Sequence, residues 1–406
     1  MKYIVLVGDG MADYPLEELQ GKTPLQVAKT PNMDYIAQSG QVGWARTIPE
    51  KMAPASDVAN LSILGYDPNK FYSGRGPLEA ANMNIDLKDD EVAFRLNLVT
   101  CGEGKMLDYS AGHISNKEAH SLIRDLDQQL KTETLRFYPG VSYRHLMVAK
   151  DLTPSLLKVK CIPPHDITGQ SIAKNLPRGK NADFIIDLMQ RGAKFLEHHA
   201  VNKVRVDLGE SPANSIWLWG QGRRPAMPKF EDKYGVTGSV ISAVDLIKGI
   251  GKLIGLEALD VPGATGYYDT DYSAKAKYGI NSLANKDFVF IHVEAPDEAG
   301  HNGDLRAKIT AIERFDQQVV GELLSYLKQR SDFRILVLSD HYTPIAVRTH
   351  TAEPVFFALC GQDVPKGQIN AFNEAAAGES KFIFSQGWQL MDYLIKNDLP
   401  KGTSLP

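Results

Sequence analysis

Three apolar runs, each closing on an acid-rich turn, constrain this chain more than any other feature. Residues 3–7 precede Gly8-Asp9-Gly10, residues 288–293 precede Glu294-Ala295-Pro296-Asp297, and residues 334–338 precede Ser339-Asp340-His341. Short continuous runs enriched in Val and Ile predict strands buried on both faces of a parallel sheet. Helical patterns over 31–39, 240–253 and 307–328 lie between them, and this alternation predicts an α/β fold with helices on both faces of the sheet. Ligands of such sheets bind beyond the carboxyl ends of the strands. All three acidic turns are expected there.

The middle of the chain reads differently. Strand-like segments at 92–98 and 143–149 mix with helical ones at 117–130 and 182–198, and loops rich in Pro and Gly interrupt them. This predicts an inserted α+β domain over 84–211, within a discontinuous core of 1–83 and 212–406. A chain of 406 residues is too long for one simple core. Its formal charge of −4 gives no electrostatic reason to expect nucleic acid or an anionic membrane as partner. No apolar run approaches the roughly 18 residues needed to span a bilayer, and the first residues lack the pattern of a signal peptide. Cys101, Cys161 and Cys360 are odd in number and lack zinc-type spacing, which predicts reduced thiols in a cytoplasmic protein. Nothing in the sequence fixes an oligomeric state.

The strand ends carry the chemistry. Asp9 closes the first run, Asp297 and His301 stand four apart after the second, and Asp340-His341 follows the third, with His350 nine residues on. Three carboxylates and three imidazoles suit Zn²⁺, Mn²⁺, Co²⁺ or Mg²⁺. Two such ions about 3.5–4 Å apart need about this many ligands and clamp a phosphoryl group between them. Each residue alone has an ordinary explanation, as a turn former or helix cap; the set points to metal. Ser56 precedes a predicted helix over 57–64. It can be that helix's N-cap, or a nucleophile activated in the positive field of the helix terminus.

These residues, in this order, resemble the alkaline-phosphatase superfamily. The segments Val7-Gly8-Asp9-Gly10-Met11-Ala12-Asp13, Lys29-Thr30-Pro31-Asn32-Met33-Asp34, Ser56-Asp57-Val58-Ala59-Asn60, Gly74-Arg75-Gly76-Pro77-Leu78-Glu79-Ala80 and Pro262-Gly263-Ala264-Thr265-Gly266 narrow the resemblance to the archaeal-type branch of the cofactor-independent phosphoglycerate mutases. Bacterial members of that branch have also been labelled homoserine kinases. The resemblance implies an alkaline-phosphatase-like sheet sandwiched by helices, with the insert acting as a substrate-binding lid. It implies that Asp297, His301 and His350 hold one metal, and that Asp9, Ser56, Asp340 and His341 hold the other. Ser56 would take the phosphoryl group of 3-phosphoglycerate as phosphoserine and return it to the other glycerate hydroxyl, without 2,3-bisphosphoglycerate. The insert must then exclude water and supply cations and a proton shuttle. His113 is the candidate acid/base, and Arg144 the candidate carboxylate grip. Arg75 and Arg223 are further candidates. His165-Asp166 stands where the other branch has Gly-Arg-Asp, so Asp166 fits as a binder of glycerate hydroxyls while the usual Arg is missing. The Trp217-Leu218-Trp219 stretch reads as packing.

Two alternatives use the same metals. A phosphatase would lack the retaining lid that an insert of this size provides. A phosphotransferase on another small hydroxy acid, such as a homoserine kinase, would need an ATP site, and no G-x-x-x-x-G-K-[ST] or kinase-type Gly-rich loop is present.

Overall fold

A computed structural model describes residues 1–151 and 155–399. The chain forms two compact units, one of Met1–Tyr72 together with the chain from Ala226 onward, the other Ser73–Pro225.

The first unit is built on a sheet with eight strands among the described residues. Lys2–Gly8 lies between Phe288–Val293 and Phe333–Leu338, parallel to both. Ile4, Val5, Leu6 and Val7 are wholly buried, as a strand covered on both faces requires. Gly8 pairs with Val293 and Val7 with Leu338. The chain therefore leaves all three strands at one sheet edge, and Asp9, Glu294 and Ser339-Asp340 come out side by side. The sheet is mixed rather than parallel throughout. Val355–Gly361 runs antiparallel to Phe333–Leu338, and Gln41–Ala45 antiparallel to that in turn. Two reversals bring Gln41–Ala45 back to the direction of the central strands, so it too ends at the ligand edge. There Thr47 donates to the carbonyl of Asp340 at 2.7 Å.

Two expected helices differ. The 240–253 pattern is a strand, Gly238–Ile241, followed by a helix, Asp245–Leu253; the apolar residues of both run together in the sequence. The 307–328 pattern is helical but widens, with Leu305–Arg314 and Gly321–Leu327 joined by a π-helical turn, Phe315–Val320. Asp316 in that turn accepts from the amides of Asn32 at 3.1 Å and Met33 at 2.7 Å. It thereby satisfies orphan donors at the start of the Pro31–Ser39 helix.

The second unit is an antiparallel sheet of Lys105–Asp108, Glu91–Gly102, Arg144–Lys150 and Leu135–Val141, with Ser215–Gly222 on the other side of Glu91–Gly102. The helices Asn116–Leu130 and Ala182–Glu197 bury their apolar stripes in its core. The unit extends beyond the expected 84–211 at both ends. The Arg75–Asn82 helix lies directly on the Glu91–Gly102 strand, where a Cβ on Gly76 would stand 2.3 Å from the Ala93 carbonyl oxygen. Glycine is what lets the backbones approach. At the other end, the whole of Ser215–Gly222 is a strand of this sheet. All three cysteines are free thiols. Among the described residues no helix is long and apolar enough to cross a membrane.

Candidate metal centre

The edge of the first sheet gathers two groups of ligand-type side chains, Asp9, Asp340 and His341 in one and Asp297, His301 and His350 in the other. Within each group the ligand atoms lie within 4.8 Å of one another. The first group is buried, Asp9 being 2% exposed and Asp340 and His341 inaccessible. The second opens outward, with 34% of the His301 side chain exposed. The groups adjoin through His341 and His350, whose ring centroids are 4.0 Å apart.

Ser56 meets the buried group. The helix runs Ser56–Ile63 with Ala55 at the N-cap position, and no side chain caps it. The capping expectation for Ser56 is therefore corrected: as the first helical residue it turns its hydroxyl away from the backbone, and Oγ lies 3.0 Å from His341 Nε2. One turn on, Asn60 Nδ2 donates to the Ser56 carbonyl and to Asp340 Oδ2, both at 2.8 Å.

Partners behind the groups set the imidazole tautomers. Thr343 gives its hydroxyl proton to Asp297 Oδ1, so its lone pair accepts from His341 Nδ1 at 3.2 Å. His341 Nε2 is thus left as a lone pair facing Ser56. Burial, with the nearby His350 and against the pull of Asp340, pushes His341 down to about 4, which keeps the ring neutral near pH 7. His301 Nδ1 donates to the Arg348 carbonyl at 3.1 Å, aiming Nε2 at His350 Nε2, 2.9 Å away. Both nitrogens also stand close to Asp297, at 3.2 and 3.3 Å.

The donor set fits divalent cations. Asp9 Oδ1 is buried without a hydrogen-bond donor. Burial, then the charges of Asp340 and Asp297, push the Asp9 carboxyl well above its ordinary range, which is the strain a cation among these carboxylates relieves. Burial opposes a charge on His301, but the hydrogen bond to Asp297 and its charge outweigh it and hold the imidazole at about 9. A proton is retained where three ligand atoms converge.

The remaining predicted residues lie in the Ser73–Pro225 unit, and most gather on one face of its sheet. The Trp219 ring carries the Arg75 guanidinium at 5.3 Å and that of Arg95 at 5.0 Å, and the His165 ring stands edge-on to it at 5.3 Å. His165 leads through Tyr109 to Tyr143, which meets His113 at 6.0 Å and Arg144 at 5.8 Å. Burial, with Arg75 and Arg95 against the pull of Asp166, lowers His165. Asp166 is largely exposed, 3.6 Å from His165 Nε2. Arg223 stands apart, paired with Asp151 at 3.4 Å. Trp219 does more than pack, because its ring organises this cluster.

Sequence reasoning missed five participants. His292 and Lys275 sit behind the buried group, Glu294 between them, and Lys308 ties the ligand loops together. Arg95, 7% exposed and paired with Glu79 at 3.2 Å, completes the arginine cluster. The available signal was a charged residue interrupting an apolar run: His292 within Phe288–Val293, and Arg95 within Glu91–Gly102.

Residues 37–202 match the family model described as 2,3-bisphosphoglycerate-independent phosphoglycerate mutase, and residues 212–353 that described as type I phosphodiesterase / nucleotide pyrophosphatase. A Methanosarcina mazei protein described as a 2,3-bisphosphoglycerate-independent phosphoglycerate mutase is 51% identical over 399 residues, covering 98% of this chain and 100% of its own. A solved Pyrococcus horikoshii protein superposes with a TM-score of 0.83 at 28% identity, covering 99% of both chains. The cofactor-independent phosphoglycerate mutase of Thermoplasma acidophilum gives a TM-score of 0.67 at 27% identity over 98% of this chain and 100% of its own. Identity of about one-half extends across essentially the whole length of both chains, and the chain belongs to the 2,3-bisphosphoglycerate-independent phosphoglycerate mutase family.

Proposed function

We propose that this enzyme interconverts 3-phosphoglycerate and 2-phosphoglycerate through a phosphoserine on Ser56. The observation that carries this is the placement of Ser56 Oγ against His341 Nε2, at 3.0 Å, on the rim of a double cluster of ligand-type side chains. Asp9, Ser56, Asp340 and His341 would hold one divalent ion, and Asp297, His301 and His350 the other; Mn²⁺, Zn²⁺, Co²⁺ and Mg²⁺ all suit such ligands. When bound, the ions supply charge neutralisation for the phosphoryl group and favour the Ser56 alkoxide.

Ser56 Oγ attacks phosphorus, the P–Oγ bond forms and the bond to the substrate's O3 breaks. His113 delivers a proton to that leaving oxygen. The glycerate then presents O2, His113 takes the O2 proton back, and O2 attacks the phosphoserine to regenerate Ser56. No second phosphoglycerate is consumed, so 2,3-bisphosphoglycerate is not required. Arg144, Arg75 and Arg95 suit the glycerate carboxylate, because guanidinium groups bind carboxylates bidentately. Asp166 suits its hydroxyls. Arg223, held by Asp151, serves the unit's own structure.

The test is a coupled assay of 3-phosphoglycerate conversion by metal-stripped protein with Mn²⁺ restored and no 2,3-bisphosphoglycerate, with released phosphate followed in parallel. Metal-dependent isomerisation with little free phosphate is the expected outcome. Free phosphate without isomerisation would make the protein a phosphatase, and neither product from metal-loaded protein would exclude phosphoglycerate as substrate.

A further inference from the structure

We infer that His292 is a positioning residue that selects which oxygen of Asp9 coordinates metal, and that it makes the buried site the tighter of the two. This rests on the two-metal reading above. His292 is wholly buried on the central strand Phe288–Val293, behind the Asp9, Asp340 and His341 group. Its Nε2 lies 3.3 Å from Asp9 Oδ2 and 3.7 Å from Asp340 Oδ2. Its Nδ1 lies 3.2 Å from Glu294 Oε1. Both ring nitrogens therefore face carboxylate oxygens. Asn60 Nδ2 and Ser242 Oγ also stand 3.4 Å from them, but these give their protons to Ser56, Asp340 and Glu294, which leaves the ring nitrogens as donors.

The consequence lies in the oxygens left over. Asp340 Oδ1 accepts the amides of Gly10 at 3.1 Å and His341 at 2.9 Å, and its Oδ2 accepts from Asn60. Asp9 Oδ2 is taken by His292, while Asp9 Oδ1 has no donor and faces His341 Nε2 at 3.4 Å. His292 thus fixes the Asp9 carboxylate with one oxygen turned back and the other turned into the ligand group.

His292 is held rigidly in turn. Glu294 Oε1 also accepts from Ser242 Oγ and the Ala243 amide, both at 2.8 Å. Glu294 Oε2 meets Lys275 Nζ at 2.6 Å, and the same ammonium donates to the His292 carbonyl at 3.0 Å. Lys275 is wholly buried. A ladder of buried charged groups therefore runs from Lys275 through Glu294 and His292 to Asp9. The Asp297, His301 and His350 group is backed by Thr343 and one backbone carbonyl, and its histidines reach solvent. Partners behind a ligand are worth about 10–100-fold in metal affinity, so the two sites should differ.

The experiment is a Mn²⁺ titration of metal-stripped, full-length protein, read by calorimetry and by the electron paramagnetic resonance of free Mn²⁺, with folding checked by circular dichroism. Wild type should take up two ions with distinct affinities. His292→Leu should weaken the tighter site about 10–100-fold and leave the weaker one unchanged. His292→Gln, which keeps an N–H near Nε2, should restore most of the loss. Should His292→Leu fail to fold, Glu294→Gln is expected to give the same one-site loss, smaller in size. Wild-type affinities at both sites in folded His292→Leu or in Glu294→Gln, or equal weakening of both sites, would overturn the positioning role and leave the two-metal reading intact. Fewer than two ions on the wild type would sink both.

Discussion

Lys308 is the residue whose removal should test the packing behind the candidate metal centre most sharply. Its side chain is fully buried, with Nζ 2.7 Å from Asp13 Oδ2, 2.9 Å from the Thr343 carbonyl and 3.4 Å from the Ala12 carbonyl. It therefore joins the loop that leaves the first strand, just past Asp9, to the loop that leaves the third, just past His341. Lys308→Met keeps the volume and removes the charge. Asp13 would retain the amides of Tyr14 and Ile345 as donors, but its buried charge would lose its counter-ion. Breaking a buried pair from one side costs about 3–5 kcal/mol, about a fifth or more of the roughly 5–15 kcal/mol that holds a typical domain folded. The double change Asp13→Asn with Lys308→Met removes both charges and should recover most of that loss, leaving about 1–2 kcal/mol for the donors and acceptors still unmatched. Urea unfolding of metal-free protein, followed by circular dichroism, measures all three. A single variant within about 1 kcal/mol of wild type would refute the reasoning, as would a double variant less stable than the single.

Ser56→Ala should lower kcat by about three or more powers of ten while changing stability by only about 1 kcal/mol, because Ser56 makes no capping bond; steady-state kinetics beside thermal melting separates the two. Mn²⁺ affinity of the Asp297, His301 and His350 group should rise up to about tenfold per pH unit and level off near pH 9. The proton that His301 holds to about 9 must leave before a cation binds, and titrations at four pH values would show a flat profile if it need not. His145 is pushed down to about 3 by burial and then by His120. Below about pH 6.5 the unfolded chain takes up a proton that the folded ring refuses, so the Ser73–Pro225 unit should lose about 2 kcal/mol between pH 6.5 and 5 and nothing above. His145→Asn, which can still accept from the Gly140 amide now bonded to Nδ1 at 2.9 Å, should flatten that slope in urea melts.

The candidate ligands were legible because most of them stand just past an apolar run, and three parallel strands in register deliver their ends to one edge. Asp9, Asp297, His301, Asp340 and His341 needed only that rule, and His350 followed nine residues after His341. The residues that support them were not legible by the same rule. His292 lies inside a run whose other members are core, and only the partner strand, with Asp9 at its end, reveals which way its ring points. Lys275 and Lys308 look like ordinary helical lysines at the surface, since burial of a lysine depends on a carboxylate distant in sequence. The expected start of the insert at 84 falls after the Arg75–Asn82 helix, because what ties that helix to the insert is the close approach of Gly76 to the Ala93 backbone, which residue type alone does not show. The antiparallel Val355–Gly361 strand carries the same apolar composition as its parallel neighbours, so direction could not be read from residue type.

The order in which the core's strands appear during synthesis follows from its sheet. Lys2–Gly8 has no neighbour until Phe288–Val293 and Phe333–Leu338 have been made, about 15–60 s later at typical elongation rates of about 5–20 residues per second. The Ser73–Pro225 unit, by contrast, is one uninterrupted stretch of chain and has every partner it needs long before then. A ribosome paused between the two would carry a finished insert on an unfinished host. Throughout that interval the apolar residues Ile4–Val7 and the Gln41–Ala45 strand would be open to whatever binds unpaired strand edges, so nascent-chain chaperones should engage this protein at its first fifty residues rather than at its middle.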